Sequence, residues 1–253
     1  MITCSKKESV ATITLSRPDA KNAINTQVAA DLKDIRDEIY RDETIKIVII
    51  TAMGKEVFCV GTDLEEFYAL ENIANRLELF SVASTIDTFD RPVIAAIGGD
   101  TFGQGLELAL ACDLRICSEN ARFGMHQVTD GQMPWDGGTQ RLSRLVGKGN
   151  ALEMILLGET IDAVKAHRIG LVHQVVSPAE LMQVAVDLAH KMACMSPISL
   201  SYAKEAVKKG MDLTLEQGLR LEADLYYLMH TARDRTEGIK AFQEKRRPQF
   251  KGK

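Results

Sequence analysis

Glu107 is the side chain best placed to do chemistry. It follows the turn Gly98-Gly99-Asp100-Thr101-Phe102-Gly103-Gln104-Gly105, on what reads as the first turn of a helix, and its neighbours Leu106, Leu108, Ala109 and Leu110 are apolar. A carboxylate in such dry surroundings acquires a raised pKa suited to proton transfer near neutral pH. A glutamate at a helix N-terminus is also a common way of complementing the macrodipole, so position alone does not assign it. A second glycine-bearing turn, Phe58-Cys59-Val60-Gly61-Thr62-Asp63, lies upstream. Turns of this kind can present an unpaired backbone N–H, and two that converge make an oxyanion hole. Ordinary strand–helix connections need the same glycines, so each turn alone is a weak signal. Downstream, Phe123-Gly124-Met125-His126-Gln127-Val128 offers a histidine and a glutamine but no second carboxylate.

These residues need elements to hold them. Val10–Leu15 alternates like a strand and stops at Arg17-Pro18-Asp19. Val28, Leu32, Ile35 and Ile39 recur at helical spacing and predict an amphipathic helix over 26–40. Ile47–Thr51 and Val93–Ile97 are continuous apolar runs of the kind buried on both faces of a sheet. Helices are expected from Asp63, over 73–89 and over Leu106–Ala111, with a strand at Asp113–Cys117. From Gly137 onward the pattern is mainly helical: 138–146, 148–157, 162–168, 178–194, 197–209, 214–230 and 233–245, interrupted by a short strand at Leu171–Val176. The pattern alone predicts an α/β core followed by a helical region.

The 253 residues, 45% hydrophobic and 26% charged, are ordinary for a globular protein and enough for a large core without a disulfide or metal staple. A net charge of −4 argues against nucleic acid as the main partner. Five cysteines without a Cys-x-x-Cys pair fit a reducing compartment, and no metal-ligand spacing is present. Residues 1–7 lack the apolar core of a signal peptide, and no apolar run is long enough to cross a bilayer. The expected location is the cytoplasm, without membrane contact. The glycines at 98–105 fit neither nucleotide-binding pattern, and Cys59 reads as a small packing residue, not a nucleophile.

Five ordered segments resemble the enoyl-CoA hydratase/isomerase (crotonase) superfamily: Arg17–Asn25, Phe58–Asp63, Ile97–Asp113, Phe123–Leu142 and Glu237–Arg246. The resemblance runs almost end to end. It implies a spiral of repeated ββα units over residues 1–195, then a C-terminal helical trimerisation region over 196–253. It also implies a CoA-thioester substrate and a homotrimer or hexamer. No cofactor is expected beyond the CoA that belongs to the substrate. Such enzymes hold the thioester carbonyl between two backbone N–H groups, here those of Thr62 and Gln104 by position, each worth about 3–4 kcal/mol when removed. The family often has three glycines where this chain has Gly103-Gln104-Gly105, a change a main-chain donor tolerates if residue 104 avoids glycine-only backbone angles.

Glu107 occupies the position of one of the two hydratase glutamates. Hydratases of the family carry Pro-Glu where this chain has His126-Gln127, and a glutamine can hold water but cannot exchange a proton. The resemblance leaves three ways to fill the gap. Asp136, in the loop Met133–Gly138, could supply the carboxylate, although isomerases and a dehalogenase that use this loop have theirs at the position of Trp135. Glu107 could act alone, or His126 could assist. CoA is expected along Lys21-Asn22-Ala23-Ile24 and the first turn, with Val60 and Asp63 near it. Its phosphates would meet cations from Lys21, Arg17 or the tail lysines Lys245 and Lys251. Trp135, with Phe67, Tyr68 and Leu70, could wall the acyl pocket or simply pack. The readings are therefore an enoyl-CoA hydratase, with lyase chemistry, or an isomerase. The alternatives are a thioester or carbon–carbon hydrolase using Asp136 and a non-catalytic acyl-CoA-binding homologue.

Overall fold

The computed structural model describes every residue from Met1 to Lys253. β1 (Ile2–Lys7) and β2 (Val10–Leu15) form an antiparallel hairpin. The helix α1 (Thr26–Arg41) then crosses to β3 (Ile47–Ala52), which pairs in parallel with β2. Asn25 starts α1 by accepting from the Val28 amide, and Val28, Ala29, Leu32 and Ile39 form its buried stripe. β5 (Val93–Ile97), β7 (Leu114–Ser118) and β10 (Gln174–Val176) complete a sheet ordered β1-β2-β3-β5-β7-β10. All five residues of β5 are buried, as a parallel strand covered on both faces requires. On one face Ile47, Ile49, Ile94, Ala96 and Ile116 pack against Leu181, Ala185 and Ala189 of α8 (Leu181–Ala193). On the other, Val48, Ile50, Ala95 and Ile97 join the main core with Leu32, Phe58 and Leu106.

A second sheet carries the functional segments. It consists of β4 (Val57–Cys59), β6 (Asp100–Phe102), β8 (Arg122–Gly124) and β9 (Ile161–Asp162) in that order, the first three parallel. Each long strand feeds a short one and then a helix. β3 leads to β4 and α2 (Leu64–Ala69); β5 leads to β6 and α5 (Gln104–Ala111); β7 leads to β8 and, after a short 3-10 turn, to α6 (Gly138–Leu157). This is the repeated ββα unit implied by the resemblance. α3 (Ile73–Phe80) and α4 (Ala83–Asp87) follow α2, and α7 (Ala163–Arg168) precedes β10. The chain closes with α9 (Pro197–Gly210), α10 (Leu215–Leu228) and α11 (Arg233–Gln243). Lys204 ties α9 to the core by donating to Asp113 Oδ2 (2.7 Å) and to the Arg91 carbonyl (2.9 Å).

Three expectations need correction. The helix expected over 73–89 is two helices, because the Val82 and Ala83 amides leave the helical pattern to donate to Asp136 Oδ2 at 2.9 and 3.0 Å. The strand expected at Leu171–Val176 begins only at Gln174, since the Leu171 and Val172 amides bond back to Ala166 in a helix-terminal turn. The strands β1, β4, β6, β8 and β9 are absent from the reading of the sequence pattern. The helices expected at 138–146 and 148–157 are both present, as the two halves of α6, which kinks at Gly147.

Candidate active site

Three functional segments leave the carboxyl ends of β4, β6 and β8, side by side. After β4, the Gly61 carbonyl accepts from the Ile24 amide (2.7 Å) and the Asp63 amide donates to the Ile24 carbonyl (2.7 Å). That parallel bridge uses the groups flanking Thr62, so the Thr62 N–H faces the other way and donates to no acceptor in the chain. After β6, Gly103 adopts φ 51° and ψ −124°, a conformation open to glycine alone, and releases the Gln104 amide at the start of α5. That amide also has no acceptor in the chain. Gln104 itself lies in the helix, with no positive φ, so replacing a glycine there strains nothing.

The two turns touch. A Cβ on Gly61 would lie 3.3 Å from the Gln104 nitrogen, and the Thr62 hydroxyl donates to Gln104 Oε1 at 2.8 Å. Gly105 lets α5 close on β4, since a Cβ there would stand 2.4 Å from the Cys59 carbonyl oxygen. Cys59 is buried, and desolvation pushes its thiol up to about 12, so it is inert filler. Two unpaired N–H groups on neighbouring turns, one at a helix N-terminus, are the kind of donor pair that can receive a developing oxyanion.

Glu107 sits one turn into α5 with 0% exposure. Its Oε1 accepts from the backbone amides of Asp136 (2.9 Å) and Gly138 (2.7 Å), and its Oε2 accepts from Gln127 Nε2 (3.3 Å). Burial raises its pKa to about 7, with the nearby Asp136 charge adding to the rise and the two amide donors opposing it. Gln127 also lies against Gly103, where a Cβ would be 3.6 Å from its Nε2. Its Oε1 is buried without a partner in the chain. An orphaned acceptor beside a carboxylate and a pair of free amides is a place for a water or substrate hydroxyl.

Asp136 is near but differently employed. Its Oδ2 accepts from Val82 N, Ala83 N and Gln104 Nε2 (3.1 Å), and its Oδ1 accepts from the Ser81 hydroxyl (2.9 Å). The carboxylate thus holds the start of α4 and the side chain of Gln104. His126 is engaged by other groups, with Nε2 3.0 Å from Thr160 Oγ1 and its ring against Phe102. Trp135 stacks on Phe67 at 5.9 Å between centroids, and Phe67 meets Phe80 edge-on at 5.2 Å, giving the loop an aromatic wall. Tyr68 accepts from Gln132 across the same gap.

The segment expected to receive CoA is braced against the first turn. Arg17 donates to the Ala23 carbonyl (2.7 Å) and pairs with Asp63 (3.0 Å), so its charge is engaged inside the loop. The Val60 amide donates to the Lys21 carbonyl (3.3 Å), leaving the Lys21 side chain exposed. Lys21 borders a 510 Å³ cleft with Lys55 and Arg122. The tail lies elsewhere: Lys46, at the amino end of β3, donates to the Phe250 carbonyl (3.2 Å), whereas the turns follow the carboxyl ends of the strands. A second cleft, of 1190 Å³ between α9 and the core, contains neither free amide nor Glu107, and its charged residues are largely paired, as Lys208 is with Asp87. No three His, Cys, Asp or Glu side chains converge as a metal site would need.

Strands that alternate between two sheets, with paired free amides beside a dry carboxylate, define a protein of the crotonase class, and the chain belongs to the enoyl-CoA hydratase/isomerase family, whose model matches residues 5–253. It is 40% identical over 253 residues to the 2,3-dehydroadipyl-CoA hydratase of Escherichia coli, covering 98% of each chain. It is 37% identical over 245 residues to the short-chain-enoyl-CoA hydratase of Clostridium acetobutylicum, covering 96% of this chain and 94% of that one. Among solved structures, an enoyl-CoA hydratase from Bacillus anthracis matches with a TM-score of 0.96 at 36% identity, over 100% of this chain and 99% of the other.

Proposed function

We propose that the chain adds water to, and removes it from, the double bond of an α,β-unsaturated acyl-CoA, with Glu107 as both base and acid. The observation that carries this reading is the pair of unpaired amides, Thr62 and Gln104, set beside a buried carboxyl group whose pKa is about 7. The thioester oxygen lies between the two amides. Glu107 Oε2 takes a proton from water as the water oxygen bonds to Cβ, and the π electrons move onto the thioester oxygen as an enolate. The same carboxyl group then returns the proton to Cα as the carbonyl re-forms. Gln127 Oε1 accepts the water's other hydrogen and orients it. Water supplies every atom added, so the scheme needs no cofactor.

Moving the double bond would use the same groups, with Glu107 carrying a proton between Cγ and Cα. The names of the two relatives rank hydration first. Hydrolysis through Asp136 draws little support, because both its oxygens already serve the chain. In this reading CoA runs along Lys21–Ala23, its phosphates near Lys21 and Lys55, and the acyl group meets the Trp135–Phe67 wall. Exposed apolar side chains on the last helices, among them Leu215, Tyr227 and Phe242, support assembly into a trimer through this region. No helix is long and apolar enough to cross a membrane. A panel of enoyl-CoA thioesters, followed by loss of the conjugated ultraviolet absorption, tests the reaction. Turnover lost in Glu107→Gln supports it; acyl-CoA binding without turnover of any thioester would leave a binding protein in its place.

A further inference from the structure

The main-chain N–H of residue 104 would be present whatever the side chain, yet the Gln104 side chain is only 1% exposed and fully engaged. Its Oε1 accepts from the Thr62 hydroxyl (2.8 Å), and its Nε2 donates to the Phe80 carbonyl (2.6 Å) and to Asp136 Oδ2 (3.1 Å). Asp136 in turn holds the Val82 and Ala83 amides, and its own amide donates to Glu107 Oε1. One amide side chain therefore links the turn of the first N–H donor, the end of α3, the start of α4 and the loop that anchors the catalytic carboxyl group.

The need for such a link follows from Gly103. The peptide joining Gly103 to Gln104 carries the second donor, and glycine restrains that peptide less than any other residue. A donor contributes to an oxyanion hole only if it is already aimed before charge develops. Three hydrogen bonds fix the Gln104 side chain, and through Cβ they fix the peptide on its amino side. We propose that the Gln104 side chain is a positioning residue, which aims its own amide and registers Thr62 against it through the Thr62 hydroxyl. This inference rests on the paired-amide reading above and adds that a buried side-chain network, not the turn alone, sets the hole's geometry.

The test uses the full-length protein with acyl-CoA carrying a ¹³C-labelled thioester carbonyl, read by difference infrared spectroscopy, alongside steady-state kinetics. Gln104→Met keeps the length of the side chain and removes all three bonds. The bound carbonyl band is expected to move back toward its position in free acyl-CoA. At the same time kcat should fall at least about tenfold while KM changes by less than about threefold, the signature of an interaction made in the transition state. Thr62→Val should give a smaller shift of the same sign, and the double variant should do no further harm. A folded Gln104→Met with the wild-type band and kcat overturns the inference. If that variant does not fold, an unchanged band in Thr62→Val overturns it. A wild-type protein that binds acyl-CoA with no band shift would remove the paired-amide reading itself, whereas a wild-type shift that survives in the variants removes only the role of Gln104.

Discussion

The carboxyl group of Glu107 has no exposed surface and titrates near neutrality, so its ionisation bears on both rate and stability. Hydration needs the ionised form to take a proton from water. The kcat/KM for enoyl-CoA is therefore expected to rise with pH through about 7 and then level. Glu107→Gln should remove that limb and lower kcat by about 10²- to 10⁴-fold. Stability moves the opposite way. A carboxyl group whose folded pKa lies above its unfolded value favours folding most below the unfolded value, and that advantage is lost as pH rises through the folded one. Glu107→Gln should thus gain on the wild type between pH 5 and 8, by up to about 3 kcal/mol in urea melts. If the difference does not grow with pH, the carboxyl group is not held as described. The dry setting of Glu107 and the two unpaired amides were legible because turn chemistry and apolar neighbours are local. The Gln104 side chain was read only as a tolerated substitution, since its partners at Thr62, Phe80 and Asp136 come from separate parts of the chain. The one available signal was a buried polar residue in a place where glycine suffices.

Among the elements, the short helix α4 depends on a residue far along the sequence. Asp136 accepts two amides at its start, so Asp136→Ala should cost about 1–3 kcal/mol and speed hydrogen exchange at Val82 and Ala83. Asp136→Asn, which keeps an acceptor, should recover part of the loss. Exchange unchanged in the alanine variant would mean that α4 starts on its own. The contact of α5 with β4 is tighter still. Gly105→Ala would drive a methyl group to 2.4 Å from a backbone oxygen and should lower stability by more than about 1 kcal/mol, read as a fall in melting temperature. The long parallel strands and the amphipathic α1 were legible from periodicity, because each spans enough residues to show a repeat. The second sheet was not: β4, β6 and β8 are three residues each, too short for alternation to register, and their pairing is entirely non-local. Only the family resemblance implied a second strand in each unit. The break between α3 and α4 was hidden for the same reason, being imposed by Asp136 and not by a local helix breaker.

At the scale of the molecule, the C-terminal helices are fastened to the core by few polar contacts, among them Lys204 with Asp113, the lysine side chain only 10% exposed. Lys204→Ala should leave Asp113 with the Val93 amide alone and cost about 1–3 kcal/mol. If the last helices also carry the contacts between copies, light scattering should show weaker assembly in the same variant. An unaltered assembly would separate the two roles. The helical character of this region was legible throughout, while its attachment to the core was not, because lysine and aspartate in a sequence carry no mark of partnership.

The anchoring of Glu107 has a stereochemical consequence. Two backbone amides occupy Oε1, which in the proposed scheme leaves Oε2 as the one oxygen to take and return the proton. Hydroxyl and hydrogen must then arrive on the same face of the double bond. Hydration in deuterium oxide should yield a single diastereomer, with the label at Cα syn to the new oxygen.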